Sequence, residues 1–183
     1  PKMHPIDLGA DMCCDSAHKT LPCLTGGAYL HISKHAPSEF ASQAKGALAL
    51  FGSTSPSYLI LQSLDKLNSY LADGYPQKLN TCAQKVQTLK QKLQQRGWEL
   101  VGNEPLKITL ATKPFGYTGD ELATLLDSEG IVCEFHDPDY IVFMLTPDSD
   151  VERLQRVLLS VEKRAPICAI QTSPELPQRA MTI

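Results

Sequence analysis

Lys19 is the residue of this chain best suited to nucleophilic chemistry. It stands in the run Asp15-Ser16-Ala17-His18-Lys19-Thr20-Leu21-Pro22, just ahead of the small-residue loop Leu24-Thr25-Gly26-Gly27-Ala28. A lysine at a strand-to-loop junction, partly withdrawn from water, gives up its proton more easily than a surface lysine, and the free amine attacks a carbonyl. The placement therefore suits an amine that condenses with an aldehyde cofactor. Ser16 and His18 flank it. A serine here offers a hydroxyl to an anion or caps the loop, and the histidine orients the lysine or serves structure alone. Ser53 and Thr54, ahead of a helix start at Ser55-Pro56, offer hydroxyls and a helix N-terminus to an anion, or simply cap that helix.

These residues also carry a resemblance. Gly9-Ala10-Asp11, then Ser16-Ala17-His18-Lys19-Thr20-Leu21-Pro22, then Leu24-Thr25-Gly26-Gly27-Ala28-Tyr29-Leu30-His31-Ile32 resemble the cofactor-lysine region of the bacterial ornithine/lysine/arginine decarboxylases, which are fold-type I pyridoxal-phosphate enzymes. Further matches follow at Thr54-Ser55-Pro56-Ser57-Tyr58, Ser63-Leu64-Asp65, Gly116-Tyr117-Thr118-Gly119-Asp120-Glu121-Leu122, Gly130-Ile131-Val132 and Asp137-Pro138-Asp139-Tyr140, as in the compact form of that family. Ala17 departs from the pattern, since many relatives have threonine there.

The resemblance implies pyridoxal 5′-phosphate as cofactor, with Lys19 as the Schiff-base lysine and as the acid that returns a proton to the carbanion after carbon dioxide leaves. General acid catalysis of this kind is typically worth about 10²–10⁴-fold. It further implies a phosphate contact from Ser16, a phosphate-binding or orienting role for His18, and contacts from Ser53 and Thr54 to the cofactor of a neighbouring subunit. The implied reaction is decarboxylation of a small-molecule substrate, arginine, lysine or ornithine, to an amine of the polyamine pathway, in a homodimer or larger assembly. The ring-stacking residue, the aspartate for the pyridine nitrogen and the phosphate loop are expected from the same enzyme upstream of Pro1, so the chain reads as a C-terminal portion that is inactive alone. Two other readings remain: a non-catalytic or assembly role, and another fold-type I activity such as an aminotransferase or aldolase.

The elements that must position Lys19 are legible in part. Met12 to Cys14 and Ala28 to Ile32 read as short strands around its loop. Leu59, Ile60, Leu64, Leu67 and Leu71 form one face of a helix from Ser55-Pro56 to Asp73-Gly74, and Leu79, Ala83, Val86, Leu89 and Leu93 one face of a longer helix from Pro76 to Arg96. Then come a strand at Leu106 to Ala111, a helix opened by a capping box at Thr118-Gly119-Asp120-Glu121 and closed by Gly130, strands at Ile131 to Phe135 and Tyr140 to Leu145 around an Asp137-Pro138-Asp139 turn, and a helix from Asp148-Ser149-Asp150 through Val161. The expected fold is α/β: 1–75 is the end of a fold-type I large domain, 76–104 a linking helix and connection, 105–165 a small α+β domain with an antiparallel or mixed sheet, and 166–183 an irregular tail.

Composition sets outer bounds. The 183 residues are 43% hydrophobic and 20% charged with a formal charge of −3, which builds a core and offers no basic field for nucleic acid or an anionic membrane. Cys13, Cys14, Cys23, Cys82, Cys133 and Cys168 show no C-x-x-C pair. We expect free thiols, a cytoplasmic location and no metal, since His4, His31, His35 and His136 have no ligand spacing either. Glu134, Asp137 and Asp139 form an acidic group whose plainest role is in a solvated turn, and Trp98 reads as a packing residue.

Overall fold

A computed structural model of the chain describes residues 4–168, and the remainder of the expected tail, 169–183, lies outside the described residues. The fold is mixed α/β and divides into two compact units, one of 1–82 with 146–148 and one of 83–145 with 149–183. The division falls within a single helix.

The first unit contains β1 (Met12–Asp15) and β2 (Tyr29–Ile32), paired antiparallel with Met12 opposite Ile32 and Asp15 opposite Tyr29. Between them the chain makes a 3₁₀ turn, Ala17–Lys19. Next comes α1 (Ser38–Ala47), running into a π-helical turn at Leu48–Gly52. This helix had no counterpart in the sequence reading, because it lacks a clean apolar stripe and buries none of its side chains. In α2 (Tyr58–Ala72) the cap is Ser57, whose Oγ accepts from the Ile60 amide. The expected start at Ser55-Pro56 is thus slightly early: Ser55 donates its amide to Ser53 Oγ in a local turn before the helix.

The helix α3 (Tyr75–Gln95) ends at Gly97, where φ is +94°. Gly97 N–H donates to Gln94 O and Trp98 N–H to Leu93 O, a pair of bonds that ties off the last carbonyls and needs a residue tolerant of the left-handed region.

The second unit holds a four-stranded antiparallel sheet in the order β3 (Glu99–Leu100), β4 (Lys107–Ala111), β6 (Tyr140–Met144), β5 (Phe135–His136). Period-two alternation buries Ile108 and Leu110 on β4 and Ile141 and Phe143 on β6. Leu122 and Leu126 of α4 (Gly119–Ser128), Leu154 and Leu158 of α5 (Val151–Ser160), and Val86, Leu89 and Leu93 of α3 are also buried. Each such side chain is worth about 1.5–3 kcal/mol relative to exposure. Trp98 stacks on Phe115 with ring centroids 3.7 Å apart, the packing role expected of it.

Both helix starts follow their sequence signals. Thr118 Oγ1 accepts from the Glu121 amide while the Glu121 carboxylate accepts from the Thr118 amide, and Asp150 Oδ1 accepts from the Arg153 amide. One expected strand is corrected. Only Phe135–His136 of the stretch beginning at Ile131 is strand. Ile131 is consumed in ending α4, donating its amide to Leu126 O while Gly130 donates to Asp127 O, so it cannot also begin a ladder.

Candidate active site

The Lys19 turn is built by local hydrogen bonds and braced by α2. Lys19 N–H donates to Ser16 O and Thr20 N–H to Ala17 O, which closes the 3₁₀ turn, and Ala17 is buried beneath it. His18 is bound twice to one carbonyl: its backbone N–H reaches Gly27 O at 3.3 Å and its Nδ1 lies 3.0 Å from the same oxygen. The Leu24 amide donates to Ser63 Oγ, and Tyr29 Oη–H donates to Leu64 O.

Gly27 must be small. A Cβ there would lie 3.1 Å from Cys23 Sγ and 3.2 Å from a Leu64 methyl group. The Gly26-Gly27 pair therefore serves close packing of the loop on α2. Gly26 has φ of +95°, a conformation that suits glycine.

The fold brings Ser16, His18 and Lys19 together in one turn. Ser16 leads the turn without capping it through its side chain, so the bland cap reading of its hydroxyl is not realised. His18 is held by Gly27 O, a contact that either of its two readings allows. Ser53 and Thr54 lie elsewhere, exposed between the π-helical turn and α2. They do not cap α2, a role taken by Ser57.

Burial of Lys19 differs from expectation. Its side chain is exposed. Lys90 is the buried lysine among the described residues; loss of solvent pushes its ammonium below its ordinary value, and it donates to Glu104 O. The acidic turn residues have structural partners. Asp137 Oδ1 accepts from the Asp139 and Tyr140 amides, and Asp139 pairs with Lys113 at 2.7 Å.

One grouping escaped the sequence reading altogether. His4 Nε2 lies 2.8 Å and His31 Nε2 3.3 Å from Asp15 Oδ2. The hydrogen bond from His4, helped by the charge of both histidines when protonated, holds the Asp15 carboxyl below the usual aspartate range. Cys13 shares the face; desolvation and then the Asp15 carboxylate push its thiol up. Alternation along β1 and β2 was the available signal, since it places Cys13, Asp15, Tyr29 and His31 on one side, but nothing local tied His4 to them.

With this geometry in place, comparison with known proteins identifies the family. The chain is 33% identical over 149 residues to the uncharacterized protein YaaO of Bacillus subtilis, covering 76% of this chain and 31% of that protein. It is 28% identical to the arginine decarboxylase of Bacillus subtilis over 97% of this chain and 40% of that enzyme. With the arginine decarboxylase of Halalkalibacterium halodurans it shares 29% identity, over 84% of this chain and 33% of that one. It thus spans less than half the length of each of these relatives.

The fold is similar to that of the constitutive lysine decarboxylase of E. coli, with a TM-score of 0.61 and 21% identity over 81% of this chain and 28% of that structure. The lysine decarboxylase LdcF of Francisella novicida gives 0.56 and 21% over 80% and 27%. Residues 7–112, which contain the Lys19 turn and α2, match the family described as Orn/Lys/Arg decarboxylase, major domain, and the chain belongs to that family.

Proposed function

We propose that this chain is part of a pyridoxal-phosphate-dependent decarboxylase of a basic amino acid, arginine, lysine or ornithine, and that Lys19 is the residue that holds the cofactor. The observation that carries this reading is the Ser16–His18–Lys19 turn, pinned by Gly27 and α2, in a chain of the Orn/Lys/Arg decarboxylase family. The donor set fits two ends of the cofactor. Lys19 offers a primary amine to its aldehyde, and Ser16 offers a hydroxyl not spent in capping to its phosphate.

When bound, the cofactor supplies an electron sink for the pair left at Cα as carbon dioxide departs. The protein's part is positional and protic. Lys19 Nζ carries a proton to and from the reacting carbon. The His18 ring, held at Gly27 O, is fixed beside it and limits how the turn can move. Ser53 and Thr54, exposed on their own segment, are available to a second subunit rather than to the turn.

The remaining contacts, to the pyridine ring and its nitrogen, come in this reading from residues of the same enzyme upstream of Pro1, with the site completed in a cytoplasmic homodimer or larger assembly. Residues 1–75 then close the large domain, 76–104 link it and 105–165 form the small domain. The exposed Leu48, Leu50, Phe51, Tyr58 and Leu59 support such burial by other parts of the assembly. Among the described residues no helix is long and apolar enough to cross a membrane.

One observation, the exposure of Lys19, favours a second reading in which the chain serves assembly alone. Absorption spectra and carbon dioxide release from the enzyme containing this chain separate the two. The catalytic reading expects a visible cofactor band and release of carbon dioxide from a basic amino acid, both lost in Lys19→Ala. A colourless protein that binds no pyridoxal phosphate contradicts it, and turnover without carbon dioxide release points to another fold-type I reaction.

A further inference from the structure

On the β1–β2 hairpin, apart from the Lys19 turn, four side chains of metal-binding type converge. The antiparallel register sets Cys13 opposite His31 and Asp15 opposite Tyr29, and residues two apart in a strand share a face. Cys13, Asp15 and His31 therefore stand on one side. His4 arrives from the opposite end of the segment, just ahead of the 3₁₀ turn Pro5–Leu8.

The distances are near those of ligands around one small cation, the 2.8 Å between His4 and Asp15 being a direct hydrogen bond that a bound ion would open. The donor atoms of His4, Asp15 and His31 all lie within 4.8 Å of one another, and Cys13 Sγ is 3.9 Å from His4 Nε2 and 3.8 Å from Asp15 Oδ2. Tetrahedral zinc, with bonds of about 2.0–2.3 Å, spaces its ligand atoms roughly 3.3–3.8 Å apart. All four donors are half-exposed or part-buried, so an ion reaches them from solvent.

We propose that His4, Asp15, His31 and Cys13 form a tetrahedral site for a divalent transition-metal cation, with zinc as the occupant. Two nitrogens, one carboxylate oxygen and one thiolate form a set of the borderline donors that zinc accepts, and hard oxygen-seeking cations do not favour it. Binding is proton-balanced. The Cys13 thiol releases its proton to solvent as the sulfur–metal bond forms. His4 binds through Nε2 with its own proton on Nδ1, so the long 3.3 Å contact from the Ile6 amide to Nδ1 is given up.

The ion would fasten the segment before β1 to both strands of the hairpin. Since β1 ends at Asp15 and the Lys19 turn begins at the next residue, the metal would stiffen the strand that feeds that turn. This role is independent of the decarboxylase reading, as none of the four ligands is assigned to the cofactor.

Cobalt(II) titration of the full chain, followed by absorption, tests it. The expected result is saturation at one ion per chain, a tetrahedral ligand-field spectrum with a thiolate-to-cobalt band, and displacement by zinc. His4→Gln combined with His31→Gln should abolish saturable binding while the circular dichroism is kept. Cys13→Ser should retain one ion and lose the thiolate band, which separates this thiol from the other cysteines. Failure to saturate at one ion per chain, or unchanged binding in the double histidine variant, overturns the site. A thiolate band that survives Cys13→Ser overturns the fourth ligand.

Discussion

The two units of this chain treat their apolar residues in opposite ways. In the second, strands and helices alternate with the sequence period and the core leucines are fully buried: Leu110, Leu122, Leu126 and Leu158 have no exposed surface. In the first, α1 buries nothing, and Leu50 and Phe51 are 76% and 84% exposed. The second unit thus owes its stability to its own core. The first carries the residues suited to chemistry on a scaffold of short strands, turns and backbone hydrogen bonds, with apolar surface left exposed.

The sharpest way to break this contrast is to overfill the second unit at Gly119. A Cβ there would collide with the backbone carbonyl oxygens of Asp137 and Tyr140, which are fixed in the turn leading into β6. Gly119→Ala should cost about 3 kcal/mol, read as a lower urea midpoint. Hydrogen exchange should show the loss of protection in β4, β6 and α4. A null effect would mean that the turn is not held as described.

A paired truncation comes next. Leu110→Ala should cost about 2–5 kcal/mol through lost burial and the cavity left behind. Leu50→Ala, at an exposed site, should stay within about 0.5 kcal/mol. Equal costs at the two positions in denaturant unfolding would contradict the burial of Leu110 and the exposure of Leu50.

How much was legible beforehand follows from the same contrast. Strong periodicity and local punctuation placed α2, α3, β4, α4, β6 and α5, because capping residues such as Thr118 and Asp150 and terminators such as Gly97 and Gly130 act within one turn of the chain. The stretch 131–134 failed because Ile131 is spent in closing a helix and Val132 is exposed rather than buried against the sheet. For α1, packing that would reveal an apolar stripe is not made within the described residues. At the candidate site the Ser16-Ala17-His18-Lys19 run was plain from motif alone. The His4, Asp15 and His31 grouping was not, since strand register and a turn, rather than spacing, bring those residues together.

A smaller effect concerns the capping box. Thr118→Ala removes the acceptor for the Glu121 amide and should cost about 1 kcal/mol, measured by thermal or urea unfolding. Glu121→Gln, which keeps an acceptor for the Thr118 amide, should cost less.

The smallest effect is a pH dependence in the second unit. Lys85, 2.7 Å from Glu152, donates a hydrogen bond that holds the carboxyl below its ordinary value. A carboxyl depressed in the folded state contributes stability above its unfolded value of about 4.3, and that contribution is lost as pH falls through the folded value. Glu152→Gln should lower stability slightly at neutral pH, leave it nearly unchanged below the folded value, and so flatten this acid limb. A limb of unchanged steepness would remove the pair from the account.

The most direct test of the central claim is chemical mapping of the cofactor amine. Borohydride reduction of the enzyme loaded with pyridoxal phosphate, followed by peptide mass spectrometry, should place the pyridoxyl group on Lys19. A label on the buried Lys90, on any other lysine, or on none would contradict the account.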